Sequence, residues 1–289
     1  MSLRVVNVHG IATVQDLGRP GLAHQGVPIG GAADTLSLRV ANLAAGNDPG
    51  DAAVELAMGE LELEATKPCT VVVSSGERPF EPVNLAVGKR VAVRPDDGHC
   101  RAYLSVAGGI EVPRVLHSRS TFRSAGLGGV EGRALRAGDV LPIGLPGASC
   151  RNIALHVRAM IAFSLQRRLL RIVTDGAEAR LPEGLLRISP HGDRVGVRLT
   201  RAGGGPARTT GPSRGVLHGT IQAPSAGELV ILGPDGPTTG GYATVGTVIA
   251  ADLPAVGQFV PGQWVGFEPV GRDNAIAVLR EREAILASL

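Results

Sequence analysis

The sequence predicts a mainly β protein, folded as antiparallel barrels or sandwiches with a few short helices. Short apolar runs with alternating residues recur about every ten positions, with few helical segments between them. Glycine and proline together make up about a fifth of the 289 residues, which favours short elements joined by tight turns. Aromatic residues make up only 3%, so we expect a core of Val, Leu, Ile and Ala.

The predicted strands follow in order along the chain. Residues 60–65 alternate strictly between leucine or alanine and glutamate, as expected for a strand with one buried face. The other predicted strands are 71–73, 91–93, 103–106, 195–199 and 229–232. Because helices do not alternate with these strands, the pattern argues against βαβ layers.

Two helices are predicted with end signals or amphipathic spacing. Residues 35–45 have a helical apolar face, with Asp34 as the expected N-cap and Gly46 as the expected residue after the last turn. Residues 274–289 show helical spacing of apolar residues and predict a C-terminal helix. Residues 154–170 could form a third helix, although their last residues continue into a strand-like run.

Two domains are predicted from a linker and an internal similarity. Residues 144–149 contain the glycine and proline typical of a linker, and the turn and strand at 136–142 resemble those at 260–267. We therefore expect residues 1–148 to form an N-terminal barrel with the helix 35–45. Residues 149–289 would form a C-terminal barrel that ends in a helix.

The composition excludes several functional classes. Only Lys67 and Lys89 are lysines, and neither stands in the Gly-Lys-Ser/Thr pattern of a P-loop. No methionine flanks either lysine, so we expect biotin not to be attached to this chain. The net charge of +3 and the scattered arginines do not indicate nucleic-acid binding. The histidines are dispersed, and we predict no metal site.

The predicted location is the cytoplasm. The chain has three cysteines, Cys69, Cys100 and Cys150, without a CxxC pair, which suits a reducing compartment. The first residues lack an apolar signal stretch, and glycine and proline interrupt the long uncharged runs. We therefore expect no membrane span.

Three polar, glycine-containing stretches are candidates for a site. In residues 13–21, Gln15, Asp16 and Arg19 could bind a polar ligand, or Asp16 and Arg19 could form a buried pair that fixes a loop. Residues 119–129 combine glycines with two arginines, as in an anion-binding nest or in simple turns. Residues 238–242 combine two hydroxyls, two glycines and a tyrosine, which favours close approach of a ligand.

These stretches, in this order, resemble the KipA family, also called allophanate hydrolase subunit 2 or the C subunit of 5-oxoprolinase. The resemblance extends to half of the urea carboxylase carboxyltransferase domain and covers nearly the whole chain. It rests on the motifs TVQDLGRPG at 13–21, LRVANL at 38–43 with GN at 46–47, CRAYLSVAGGI at 100–110, SRST at 118–121, GRAL at 132–135, DRVG at 193–196, GTIQ at 219–222 and TTGGY at 238–242.

The resemblance implies cyclophilin-like β-barrel domains and a heteromer with a separately encoded KipI-like subunit, that is, allophanate hydrolase subunit 1 or the B subunit of 5-oxoprolinase. A LamB/YcsF-type protein is a further candidate subunit. The implied activity is ATP-dependent opening of 5-oxoproline to glutamate, with ATP bound by the complex. The alternatives are carboxyl transfer from carboxybiotin to a urea nitrogen and a non-catalytic module that controls a KipI-like protein.

Both implied substrates are small amides, so a site must polarise a carbonyl and hold negative charge. The resemblance then implies roles for two groups of residues. The expected catalytic residues are Arg19, Arg123, Thr238, Thr239 and Tyr242. The expected substrate-binding residues are Gln15, Asp16, Gly240, Gly241, Arg101, Arg119, Arg194 and Gln222.

The chain departs from the family pattern just before the TTGGY motif. The family usually has Asp-Arg-Gln there, whereas this chain has Asp235, Gly236 and Pro237. Glycine also stands at position 30, where serine is usual, and His218 and Ala243 stand where proline is usual. We expect these changes to alter substrate preference or to reduce activity.

Overall fold

The computed structural model describes residues 2–76, 80–201, 210–225 and 228–289. The chain folds into two compact units. The first comprises Met1–Arg19, Gly30–Ala162 and Leu289, and the second comprises Pro20–Ile29 and Phe163–Ser288. The prediction of a mainly β chain with a few helices is confirmed. Among the described residues, no helix is both long and apolar enough to cross a membrane.

The first unit is a curled sheet of seven antiparallel strands that forms a half-barrel. Its strands are β1 (Ser2–Gln15), β2 (Ala53–Ala65), β3 (Cys69–Ser74), β4 (Pro82–Leu85), β5 (Arg90–Val93), β6 (Arg101–Val106) and β7 (Val140–Pro142). The sheet order is β4-β3-β6-β2-β1-β7, and β5 also pairs with β2. Alternate residues of β1, β2 and β6 fill its core, including Leu3, Val14, Leu56, Leu61, Leu63 and Leu104.

The long pair β1–β2 bends at two glycines. Its register shifts between His9 and Ile11, and Gly10 and Gly59 both have positive φ angles, of 109° and 76°. A Cβ at Gly10 would lie 2.0 Å from the carbonyl oxygen of Met58. Glycine is therefore required at this bulge, which lets two long strands curve around one core.

The predicted first helix is α1 (Thr35–Ala44), which packs on β3 and β6. Its N-cap is Asp34, whose side chain accepts a hydrogen bond from the backbone N–H of Ser37 at 2.9 Å. Gly46 has a φ of 74°, in the left-handed region that commonly ends helices. Both end signals of this helix are therefore confirmed.

The second unit is a closed barrel. Its strands are β8 (Leu169–Val173), β9 (Leu186–Ile188), β10 (Gly196–Thr200), β11 (Thr210–Gly215), β12 (Thr220–Ser225), β13 (Glu228–Leu232), β14 (Thr239–Val248) and β15 (Trp264–Pro269). The order is β11-β14-β12-β13-β10-β9-β15-β8, and an added pairing of β14 with β8 closes a ring. Among the described strands, β11 pairs only with β14 and lies outside that ring.

Three more helices complete the described part of the chain. Helix α2 (Leu155–Leu165) crosses the boundary between the units, and α3 (Leu253–Gly257) follows β14. Helix α4 (Arg272–Ala287) is the predicted C-terminal helix, and only Leu286 in it is buried. The barrel core contains Leu170, Ile172, Leu199, Ile221, Ile231, Val245 and Val265.

Candidate functional site

The side chain of Asp16 connects two of the predicted polar stretches within the first unit. Its Oδ1 accepts hydrogen bonds from the backbone N–H of Gly18 and the hydroxyls of Ser118 and Ser120, at 2.7, 2.7 and 2.5 Å. Its Oδ2 accepts one from the backbone N–H of Arg119 at 2.6 Å. Four donors therefore hold the buried carboxylate and fix residues 118–120 against the end of β1.

Gln15 and Arg19 are buried beside this carboxylate. Arg19 is 1% exposed, and its Nη2 donates to the carbonyl oxygen of Ser120 at 2.6 Å. Gln15 is 0% exposed, and its Nε2 donates to Thr13 Oγ1 at 3.0 Å and to the carbonyl oxygen of Thr121 at 3.2 Å. Ser120 therefore links Asp16 to Arg19, and in this conformation neither Gln15 nor Arg19 reaches the surface.

Glycines allow the backbone segments of this cluster to touch. A Cβ at Gly31, where φ is 81°, would lie 2.7 Å from the backbone nitrogen of Gly18. A Cβ at Gly128, where φ is 68°, would lie 2.1 Å from the carbonyl oxygen of Ser120. Close packing accounts for both glycines, whereas the anion nest predicted at 119–129 stays a prediction.

The two other predicted arginines of this region differ in their surroundings. Arg119 donates from Nη2 to Glu111 Oε2 at 2.6 Å and from Nε to the carbonyl oxygen of Val112 at 2.9 Å. Arg123 is exposed at the start of a short 3-10 turn, Arg123–Ala125. Of these two guanidinium groups, that of Arg123 lies open to solvent.

A buried polar network in the first unit joins β2, β6 and the residue that caps α1. Glu55 Oε2 accepts hydrogen bonds from the hydroxyl of Tyr103 at 2.7 Å and from the backbone N–H of Ala33 at 2.8 Å. Glu55 Oε1 lies 3.5 Å from Arg101 Nε, and Tyr103 Oη accepts from the backbone N–H of Asp34 at 2.8 Å. Burial, and next the negative charge of Glu55, raise the pKa of Tyr103 well above its ordinary value.

This network includes Arg101, which the sequence predicts as substrate-binding, and Glu55, which sequence reasoning missed. Arg101 is 9% exposed and faces Glu55, which is 1% exposed. A signal for Glu55 was present, because it is a lone charge in the apolar run from Ala52 to Met58. Asp252 in the second unit has a similar signal and was also missed.

Asp252 is 1% exposed and is held by two arginines. Arg171 donates to it from Nη2 at 2.5 Å and from the backbone N–H at 2.8 Å, and Arg167 donates from Nε at 3.1 Å. These bonds tie β8 to the residue before α3.

Arg194 forms a two-bonded ion pair with Asp235 in the second unit. Its Nε and Nη2 donate to Oδ2 and Oδ1 at 2.8 and 2.9 Å. Burial, and next the positive charge of Arg194, lower the pKa of His218 to about 4. A Cβ at Gly236 would lie 2.9 Å from the carbonyl oxygen of Gly233. Gly236, which stands where the family usually has arginine, therefore lies in a tight turn.

The predicted residues 238–242 lie at the point where β14 leaves the barrel. Residues 239–242 pair with β11, whereas residues 243–248 pair with β12 and β8. Tyr242 is 42% exposed, and Thr239 is exposed. A Cβ at Gly240 would lie 2.6 Å from Gln222 Nε2, so the glycine allows this strand to cover the Gln222 amide.

The predicted site residues therefore form two groups, one in each unit. Gln15, Asp16, Arg19, Arg101, Arg119 and Arg123 belong to the first unit, and Arg194, Gln222, Thr238, Thr239, Gly240, Gly241 and Tyr242 belong to the second. Within the described ranges, no three His, Cys, Asp or Glu side chains are grouped to hold a metal ion.

Two curated relatives cover this chain almost completely. It is 31% identical to the 5-oxoprolinase C subunit of Escherichia coli K12, over 99% of this chain and 97% of that protein. It is 29% identical to urea amidolyase of Lachancea kluyveri, over 100% of this chain and 18% of that protein. The chain thus spans nearly all of one relative and less than a fifth of the other.

A solved structure and a family model agree with these relatives. The urea carboxylase of Kluyveromyces lactis superposes with a TM-score of 0.88 and 25% identity, over 99% of this chain and 29% of that one. The model of the carboxyltransferase domain, subdomain A and B, matches residues 25–269. The resemblance seen in the sequence motifs is confirmed, and the chain belongs to the carboxyltransferase domain family.

Proposed function

We propose that the chain is one subunit of a heteromeric, ATP-dependent 5-oxoprolinase that opens 5-oxoproline to glutamate with a KipI-like partner. The observation that carries this proposal is the similarity to a 5-oxoprolinase subunit. The chain is 31% identical to the E. coli 5-oxoprolinase C subunit over 97% of that protein, and 29% identical to a urea amidolyase over 18% of that protein. The match over almost the full length of the 5-oxoprolinase subunit supports the same role for this chain.

The chemistry of the described residues supports a carbonyl-binding part of such a site. Opening a lactam requires donors that polarise its carbonyl and stabilise the charge that develops on oxygen. Thr239 and Tyr242 are exposed on one strand of the second unit and offer hydroxyl donors. ATP binding is proposed for the complex, because Lys67 and Lys89 stand in no P-loop pattern.

The test is a reconstitution. The chain is purified alone and with candidate KipI-like and LamB/YcsF-type proteins, and formation of glutamate and ADP is measured with and without 5-oxoproline. We expect 5-oxoproline-dependent ADP formation by the complex and none by the chain alone. Thr239→Val should lower this activity, and Thr200→Val, an exposed threonine on β10, should not. An inactive, verified complex would contradict the proposal.

Carboxyl transfer to a urea nitrogen is the second candidate, because the fold matches urea carboxylase along 99% of this chain. Biotin would then come from another protein, which would carry the carboxyl group to this chain. Urea-dependent loss of carboxyl groups from a carboxybiotin carrier would favour this candidate. Tight association with a KipI-like protein, without opening of 5-oxoproline and without carboxyl transfer to urea, would favour a non-catalytic module that controls that protein.

A further inference from the structure

Three large apolar side chains lie exposed on the outer face of the second unit. They are Leu169 on β8, Leu185 just before β9 and Trp264 on β15, and they are 49%, 58% and 51% exposed. Each is followed in the sequence by a residue of the barrel core, namely Leu170, Leu186 and Val265. Because side chains alternate along a strand, the three exposed side chains point away from the core.

These three side chains lie on neighbouring strands and form one surface, the Trp264 surface. Strand β15 lies between β9 and β8 in the sheet. A Cβ at Gly266 on β15 would lie 3.1 Å from Leu185 Cδ2 and 3.2 Å from Leu169 Cδ1, so both leucines lean over this glycine. Trp264 is two residues before Gly266 and therefore on the same face. A contiguous exposed apolar surface with a tryptophan is typical of a protein contact.

Two exposed charges of opposite sign flank Leu185. Glu183 stands two residues before it and Arg187 two residues after it, opposite Trp264 on β15. Within the described part of the chain, neither of these two side chains forms an ion pair. The charges on the adjoining part of this face are paired, since Glu268 lies 3.4 Å from Arg167. Glu183 and Arg187 therefore stay free for a partner outside the described residues.

This arrangement of charges is complementary to itself. In a symmetric dimer, a twofold axis brings the same patch of both copies together, so each residue meets its counterpart across the axis. With the axis at Leu185, the two Leu185 side chains meet, and Glu183 of each copy faces Arg187 of the other. The apolar side chains then lie at the centre and the ion pairs at the rim, as in protein interfaces generally.

We propose that the Trp264 surface is a contact between two copies of this chain, related by a twofold axis at Leu185 and joined by two symmetric pairs of Glu183 with Arg187. The inference does not depend on the proposed function, because it concerns the outer face of the barrel and not the substrate. One consequence is that a complex with a KipI-like subunit contains at least two copies of this chain.

The test measures the mass of the full chain by sedimentation over a range of concentrations, together with its tryptophan emission. Trp264 is the one tryptophan of the chain, so its fluorescence reports on this surface. We expect a monomer–dimer equilibrium in which the emission moves to shorter wavelength as the dimer forms, because the indole ring leaves water.

Charge reversal tests the pairing. Glu183→Arg and Arg187→Glu should each weaken the dimer about tenfold, because each replaces two ion pairs by two contacts of like charge. The variant with both changes should recover the dimer, since the two charges are only exchanged. Recovery also shows that the single variants fold, because a second charge change does not repair misfolding. Arg114→Glu, which changes an exposed arginine of the first unit, should dimerise normally.

Three results would overturn the inference. The first is a chain that stays monomeric at every concentration. The second is a dimer that both single charge variants leave unchanged, since the contact would then lie elsewhere. The third is an emission of Trp264 that shifts only when a KipI-like protein is added, which would assign this surface to that protein instead.

Discussion

Tyr103 and Glu55 form a buried hydrogen bond of 2.7 Å between adjacent strands, and both residues are at most 1% exposed. The same hydroxyl accepts the backbone N–H of Asp34, which caps α1. The Tyr103 hydroxyl therefore donates a hydrogen bond to a carboxylate and accepts one from the backbone at the start of a helix.

Tyr103→Phe should lower the free energy of unfolding by about 1–3 kcal/mol, because it removes the two buried hydrogen bonds that the Tyr103 hydroxyl makes with the Asp34 N–H and with Glu55 Oε2. Denaturant unfolding at neutral pH measures the loss. Tyr242→Phe is the matched control, since Tyr242 is the other tyrosine and is 42% exposed. Equal stability of the two variants would contradict the structural role of Tyr103.

The stability of the protein should fall in alkaline solution through Tyr103. Its pKa is raised in the folded state, whereas the unfolded chain has a value near 10. The protonated phenol therefore contributes its full stability below about pH 10, and this is lost as the pH rises towards the folded pKa. In the Tyr242→Phe variant Tyr103 is the one remaining tyrosine, so the absorbance of its phenolate should appear only when the protein unfolds. Phenolate absorbance at a lower pH than unfolding would contradict the prediction.

Acid should destabilise the second unit through His218. Its pKa is about 4 in the folded state, against an ordinary value of 6.5. Between these values the unfolded chain binds a proton that the folded chain does not, so stability falls as the pH decreases from 6.5 towards 4. His218→Asn should flatten this part of the curve of unfolding free energy against pH. His191→Asn, which changes an exposed histidine, should leave the slope as it is.

The tight turn at Gly236 should resist restoration of the arginine that the family pattern has there. A Cβ at this position meets the carbonyl oxygens of Gly233 and Val195 at 2.9 and 3.0 Å. We expect Gly236→Ala and Gly236→Arg both to lower the midpoint of thermal unfolding. Gly215→Ala should not, because a Cβ at Gly215 has no atom within 4 Å. A fully stable Gly236→Arg would show that the turn can shift.

Local features of the fold were predictable, because their causes lie within a few residues. Helix α1 was expected at 35–45 and spans Thr35–Ala44, since Asp34 and Gly46 determine its ends. Strand β2 contains the alternating run 60–65. The closure of the second sheet could not be predicted from the sequence, because it depends on the pairing of β14 with β8, between residues 74 and 76 positions apart.

The polar clusters were predictable only in part. The motif at 13–21 and the one at 118–121 were both recognised, but their junction at Asp16 depends on contacts between residues 102 to 104 positions apart. The burial of Arg19 follows from that junction and cannot be read from its neighbours in the sequence. Glu55 and Asp252 were recognisable as charges in apolar runs, although the sequence does not indicate which residues neutralise them.

The chain order of the two units has a consequence for how the protein is made. Pro20–Ile29 belongs to the second unit but is synthesised before Gly30–Ala162 of the first. No single cut can therefore release either unit intact, and a fragment that begins at Phe163 lacks part of its own unit. During translation Pro20–Ile29 is made long before the strands of the unit to which it belongs. The second unit can therefore fold completely only after its last strands have been synthesised.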